Sequence, residues 1–427
     1  MFGLENAQSL LGIVLILLLC WALSERRSAF PWRLAIGAVL AQAALVAILF
    51  GVPAARQVIS GAGAAVQGLS ASTQAGVKFV FGFLAGADGQ PYPVKDPASL
   101  FLLGFRVLPV ILVICALSAL LWHWKVLKWL IQGFGFVFER AMGLRGAPAL
   151  ATAATIFMGQ VEGPIFIRAY LAHLTRSELF LLITVGMSCV AGSTVVAYAT
   201  ILQGVLPNAA AHVLTASLIS APAGVLLARI LVPRDPAAET PEAYDLATAK
   251  TYESSIDALM RGSNDGLQIV LAVGSTLVVF VALVAMADGL LALLGPVAGA
   301  PISIERVLGF IFAPLAFAIG VPWREAHTAG ALLGVKLVLT EFTAFIDLAK
   351  TGSGLLSERS RVLMTYALCG FANIASVGIN VAGYSILVPE RRGEVMAMVW
   401  KACFAGFLAT CLTAAVVGVL PASIYPK

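Results

Sequence analysis

Residues 159–164 read Gly-Gln-Val-Glu-Gly-Pro, set between the apolar stretches ALATAATIFM (149–158) and IFIRAYL (165–171). An amide and a carboxylate here interrupt a segment otherwise apolar enough for a membrane. The flanking glycines let the backbone unwind, and Pro164 suits the first turn of a following half-helix, whose N-terminus favours polar or anionic groups. Non-helical backbone at membrane depth is tolerated only where it faces protein or a watery cavity. The stretch is therefore read as the tip of a broken helix that presents Gln160 and Glu162 to a cavity.

The rest of the chain makes that membrane setting firm. Of 427 residues, 60% are hydrophobic and 11% charged, against about 25% charged in soluble domains. Apolar runs long enough to span lie near 9–24, 34–51, 100–122, 179–205, 209–232, 267–297, 361–388 and 395–420. Two further runs, near 149–171 and 306–346, are interrupted by Gly, Pro and charge. The expected fold is an all-α polytopic membrane protein with eight spans, two re-entrant hairpins and an interfacial helix in the Gly/Ala/Ser-rich stretch 54–84. The first run has no small-residue cleavage site and is read as a retained helix. The six cysteines all lie in apolar runs, and the four histidines are scattered without HExxH or CxxC spacing, which argues against a disulfide or metal framework. The net charge of +5 follows membrane topology and points to no nucleic-acid partner.

Lys and Arg set the orientation: Arg26, Arg27 and Arg33 place the first connector in the cytoplasm, with Lys125, Lys128, Arg140, Arg145, Arg391 and Arg392 on the same side. The scheme closes only if both interrupted runs enter and leave on one side, as hairpins do. The hydrophilic stretch after residue 232 reads as a cytoplasmic connector. The organisation expected is a scaffold with the interfacial helix over 1–145, a first repeat over 146–233, the connector and a scaffold span over 234–300, and a second repeat over 301–427. A faint repeat supports it: Arg176-Ser177 aligns with Arg359-Ser360, and Ser193 with Ser376, at one common offset. The shared order, broken segment then two spans, adds weight, and the two copies would carry opposite topology, as in secondary transporters.

A carboxylate at mid-membrane costs about 2.5–3.5 kcal/mol on insertion scales and is a functional hypothesis by default. Two stand out, Glu162 in the first interrupted run and Glu341 (KLVLTEFTAF, 336–345) in the second. The plainer reading places each at an interface or pairs it with Arg168 or Lys336. A third cluster, Asn373, Ser376 and Asn380, is spaced for one helix face, with Cys369 a turn earlier and Phe371 adjacent. Interhelical glue accounts for Ser376 and Asn380 as well as ligand reading does. Two acids, carboxamides, a hydroxyl and an aromatic ring suit a neutral polyhydroxylated solute, and no Arg pair is present for a phosphate or dicarboxylate.

At these residues the chain resembles the concentrative nucleoside transporter family, over about 100–420. The resemblance rests on GQVEGPIFIRAYL with TRSEL, on FAPLAFAIGVPW…GALLGVKLVLTEFTAF, and on RSRVLMTYALCGFANIASVGI. It implies a trimeric cation symporter of the inner or plasma membrane, with a nucleoside as substrate and no further cofactor. It further implies that Gln160, Val161 and Glu162 face the base, and that Glu341, Asn373 and Ser376 hold the ribose with Phe371 bordering it. Val161 stands where the family usually has Thr or Ser, and Thr340 where it usually has Asn. At the family's sodium site the usual Asn and Ser are replaced by Thr155 and Cys189, leaving the carbonyls of Met158 and Val190. Sodium wants oxygen ligands and a thiol is a poor substitute. The expected coupling ion is therefore H+ over Na+, with Glu162 or Glu341 as the titrating group, since burial disfavours a charged carboxyl. The alternatives are a passive polar-solute channel or facilitator, and an intramembrane enzyme using the two acids as an acid–base pair. No GxGD or HExxH signature supports the enzyme.

Overall fold

The computed structural model describes residues 3–87, 102–144, 146–160, 162–165, 167–234, 252–296, 301–352 and 354–421. Most of the expected cytoplasmic connector lies outside the described residues, as does Val161. Among the described residues every regular element is helical. Three helices lead: α1 (Leu4–Ala22), α2 (Trp32–Gly51) and α3 (Pro53–Phe81). The segment expected to hold the interfacial helix is thus one continuous helix, packed on later spans.

A unit of five parts then occurs twice. Its first copy is a span α4 (Leu108–His123), a helix α5 (Val126–Met142), a hairpin, a broken span α7 (Arg176–Ser188) plus α8 (Gly192–Leu202), and a full span α9 (Ala209–Leu231). The hairpin is α6 (Ala147–Met158), a break at Gly159, one helical turn Glu162–Ile165 and a 3-10 turn Arg168–His173. The second copy is α10 (Ser255–Ala292), α11 (Ile304–Ala318), the hairpin α12 (Trp323–Val338) plus α13 (Glu341–Lys350), the broken span α14 (Glu358–Leu368) plus α15 (Ile374–Leu387), and α16 (Arg392–Val419).

Two sequence expectations change here. The apolar runs at 179–205 and 361–388 are not continuous helices; each is two half-helices. The first breaks at Cys189, whose backbone is extended (φ −104°, ψ 170°). The second breaks between Cys369 and Asn373, where Gly370 passes so close that a Cβ would lie 2.7 Å from the Ser188 carbonyl oxygen. The two breaks touch, with the Phe371 N–H donating to the Cys189 carbonyl at 3.2 Å. Hydropathy cannot register this, because unwound backbone satisfied by protein needs no polar side chain. The second interrupted run also divides differently. Its first part is a separate helix, α11, bent 118° from α12 at Gly320–Pro322, and the hairpin tip lies at Leu339-Thr340.

The inversion of the two copies is visible along α1. Beyond one end, Glu25 accepts from Arg176 at 2.9 Å and Lys401 at 3.1 Å. At the other end Glu5 pairs with Arg359 at 3.0 Å. Arg176 and Arg359, the aligned residues of the two repeats, therefore open their broken spans at opposite ends of one span. The interior is built from α7, α9 and α16, which pack on one another. Small residues allow this: a Cβ on Gly406 of α16 would lie 2.8 Å from Met187 Cβ, the close backbone approach of buried membrane helices. The outer α10 lies along α4 through Gly262 and Gly266, where a Cβ would meet the Cys115 carbonyl at 2.7 Å and Leu112 Cα at 2.9 Å. Its remaining faces are apolar and exposed, including Leu271, Val278 and Met286, as lipid or a partner requires.

Candidate functional site

Both hairpins place their acids alike. Glu162 and Glu341 are each the first residue of the helix after the break, where the free N–H groups of a helix start favour a carboxylate. In the first hairpin Gly159 adopts φ 114°, open to glycine without strain. The returning turn then packs on the helix it left: a Cβ on Gly163 would meet Thr155 Cα and N at 2.9 Å. In the second hairpin Thr340 caps α13 and accepts from the Thr343 N–H.

Glu341 is buried and both its oxygens are engaged. Oε1 accepts from the Tyr198 hydroxyl at 2.7 Å, and Oε2 from Asn373 Nδ2 at 2.7 Å. Tyr198 comes from α8, in the opposite repeat, and its ring stacks on Phe345 at 4.6 Å between centroids. Gln160, at the first hairpin tip, is bonded to the second broken span: its Nε2 donates to Ser376 Oγ at 3.2 Å, and its Oε1 accepts from Asn380 Nδ2 at 2.9 Å. Asn380 Oδ1 is buried without a donor. Phe371 is half-buried beside them. Gln160, Glu341, Asn373 and Ser376 thus form one buried group between hairpin tips and a helix break.

Asn373 departs from the expected helix-face stripe. It is the N-cap of α15, and its Oδ1 accepts from the Ser376 N–H at 2.8 Å, while Cys369 closes α14. Asn is among the best N-cap residues, and capping leaves its amide free to reach Glu341. Sequence reasoning missed Tyr198 altogether, because a tyrosine in an apolar half-helix carries no signal until the partner repeat is folded against it.

The pairing considered for Lys336 is not formed: its ammonium donates to the Ala367 carbonyl at 2.8 Å and Thr410 Oγ1 at 2.6 Å. The candidate cation ligands are each engaged locally. Thr155 Oγ1 donates to the Ala151 carbonyl at 2.8 Å, Cys189 Sγ lies 3.8 Å from Ser188 Oγ, and the Val190 carbonyl accepts from Ser217 Oγ at 3.1 Å. Met158 ends α6. A cavity of about 420 Å³ lies apart from the group, between α3, Arg106 and the turn 203–210. The group's donors and acceptors largely satisfy one another, so a polar solute would enter by exchanging these bonds.

Three family models match the chain: "Na+ dependent nucleoside transporter N-terminus" over residues 11–84, "Nucleoside recognition" over 104–205 and "Na+ dependent nucleoside transporter C-terminus" over 212–418. The chain is 36% identical to the uncharacterized transporter YutK of Bacillus subtilis over 411 residues, covering 96% of this chain and 98% of that one. It is 32% identical to the nucleoside permease NupC of Helicobacter pylori over 417 residues, covering 96% of each. Its fold matches CNTnw in an inward-facing substrate-bound state with TM-score 0.88 and 34% identity, over 97% of this chain and 98% of that one. An outward-facing CNTnw matches with TM-score 0.88 and 33% identity, over 98% of each.

Proposed function

This chain belongs to the concentrative nucleoside transporter family, and from that premise we propose that it is a symporter that draws nucleosides inward with H+ as its coupling ion. It is a multi-pass membrane protein and a transporter rather than an enzyme. The observation that carries the substrate reading is the buried group of Gln160, Ser376, Asn380, Glu341 and Asn373. A carboxylate can accept two hydroxyl hydrogens, and a carboxamide offers both a donor and an acceptor. In this reading Glu341, Asn373 and Ser376 take the ribose hydroxyls with Phe371 against the sugar, while Gln160, Val161 and Glu162 face the base.

The relation to proteins solved in inward- and outward-facing states supports import by alternating access. In our reading the two hairpins and their broken spans move together against α4 and α10, re-entering the membrane from opposite sides. Support for re-entry comes from length: the 12 residues of α6 reach about 18 Å, short of the ~30 Å hydrocarbon core. In our reading the division at 145, 233 and 300 sets the scaffold spans α4 and α10 apart from the hairpin-bearing part of each copy. The exposed apolar faces of α10 support a homotrimer formed through α4 and α10 in the cell membrane.

Proton coupling is supported by the first hairpin. Thr155 directs its hydroxyl proton to Ala151, the Val190 carbonyl already accepts from Ser217, and Cys189 offers sulfur where a hard cation wants oxygen. The test is uptake of radiolabelled uridine and adenosine into proteoliposomes under separate proton and sodium gradients. Accumulation driven by protons alone is expected. Accumulation needing sodium and indifferent to pH would overturn the coupling ion. Saturable accumulation against a gradient separates a symporter from a passive facilitator.

A further inference from the structure

Lys336 is fully buried on α12 and makes no ion pair with a carboxylate among the described residues. Its ammonium donates to the Ala367 carbonyl and to Thr410 Oγ1, and it lies 5.3 Å from the centre of the Phe407 ring. An unpaired buried ammonium is among the costliest groups a protein can hold, so its retention needs a reason. Its surroundings supply one. Lys336 lies in the last turn of α12, and Ala367 in the last turn of α14. A half-helix C-terminus, carrying partial negative charge and carbonyls without helical donors, therefore meets the positive charge through the Ala367 carbonyl, with the Thr410 hydroxyl of α16 as its second partner. In transporters with discontinuous helices, such ends and unwound carbonyls are where a coupling cation is held.

The repeat sharpens the comparison. In the first hairpin the matching last turn holds Thr155, and the facing break holds Cys189 and Val190. Each hairpin thus brings a half-helix end against the break of its own broken span. In the first copy the side chain at that place is neutral. In the second it is an ammonium, five residues before Glu341 on the same hairpin.

We propose that Lys336 is a tethered cation: it fills, in the second hairpin, the place where this architecture would hold a coupling ion, and it keeps Glu341 ionised to receive the substrate's hydroxyls. A cation from solution is then needed only at the first hairpin. Lys336 is a positioning residue acting through Glu341, and the inference rests on the nucleoside reading only for its ligand. The other titratable groups near the pair are Tyr198 from α8, Cys369 at the end of α14, and Cys403 and Cys411 on α16.

The experiment follows thermal unfolding of purified full-length protein from mildly alkaline to mildly acidic pH, with equilibrium uridine binding alongside. It compares wild type, Lys336→Arg, Lys336→Met, Glu341→Gln and the Lys336→Met/Glu341→Gln double variant. Lys336→Met should lower the unfolding temperature at neutral and alkaline pH and recover as acid neutralises Glu341. Its uridine affinity should fall at least about a hundredfold at alkaline pH, since a buried carboxylate without a neighbouring positive charge is left uncompensated. Lys336→Arg should stay near wild type, and Lys336→Met should add little once Glu341 is Gln. A loss that is the same at every pH, or fully additive with Glu341→Gln, marks Lys336 as a structural pin and overturns the proposal. If Lys336→Met alone cannot be recovered folded, recovery of the double variant supports the tethered cation and failure of both overturns it. Wild type that binds no uridine would strike the nucleoside reading, while the unfolding profiles would still decide the role of Lys336.

Discussion

Glu341 receives one hydrogen bond on each oxygen, from Tyr198 and from Asn373, and hydrogen bonds to a charged group are worth about 1.5–3 kcal/mol each. A substrate that inserts two hydroxyls here exchanges bonds of similar strength, so the site can bind and release. Removing the carboxylate leaves no acceptor of that strength. Glu341→Ala is expected to lower uridine uptake about a hundredfold or more, and Tyr198→Phe about tenfold, taking ~1.4 kcal/mol per factor of ten. Uptake rates normalised to protein in the membrane check both, and near-normal uptake by Glu341→Ala would overturn the site. Glu162, Glu341 and Asn373 were legible in the sequence because charge and amide stand out against an apolar background. Tyr198 was not, since its role depends on a contact across 143 positions of chain.

At the scale of elements, hairpins and breaks depend on glycine for a steric reason. Gly163 brings its turn onto Thr155 so closely that a Cβ would meet Thr155 Cα and N at 2.9 Å, and backbone atoms cannot move aside as a side-chain tip can. Gly37, on the outer α2, has nothing within 4 Å of such a Cβ. Gly163→Ala should therefore destabilise the protein by about 1–3 kcal/mol, the usual cost of overpacking. Gly37→Ala should be neutral or slightly stabilising, as Ala is the better helix former. Thermal unfolding of the two variants in detergent checks the contrast; equal behaviour would mean the hairpin gives way more easily than its packing indicates. The same scale explains why the broken spans escaped hydropathy. Their breaks are closed by backbone partners and the Asn373 cap, and Asn373, Ser376 and Asn380 have the spacing of an unbroken helix.

For the whole molecule, the informative contacts are those that tie α1 to both repeats. Glu25 with Arg176 and Lys401 marks one end, and Glu5 with Arg359 the other. The Lys/Arg bias predicts that the Glu25 end is cytoplasmic, so single cysteines placed at the two ends should report from opposite sides. Arg26→Cys should react with a membrane-impermeant maleimide only when the reagent is inside, and Arg324→Cys, in the opposite end's exposed turn, only when it is outside. Five of the six native cysteines are buried and Cys115 is half-buried, so the background should be low. Labelling of both from one side would contradict the inverted repeats. Burial also separates an interior from a rim: 89% of the most apolar window of the last span is buried, against none of that of α10. Hydropathy ranks both as spans and cannot say which one the protein encloses.

By itself, the sequence determined the membrane setting, the positions of the apolar runs, and the two acids that do not belong in lipid. These are one-dimensional properties, because the energy of placing a residue in hydrocarbon is set mainly by its own chemistry. Only the tertiary structure decided where spans break, that Asn373 is a cap, that Tyr198 holds Glu341, and that Lys336 turns to a half-helix end and a threonine hydroxyl instead of a carboxylate. Those outcomes depend on which backbone atoms come within about 3 Å of one another, and that distance is set by helices packing across the repeats, which no local pattern records.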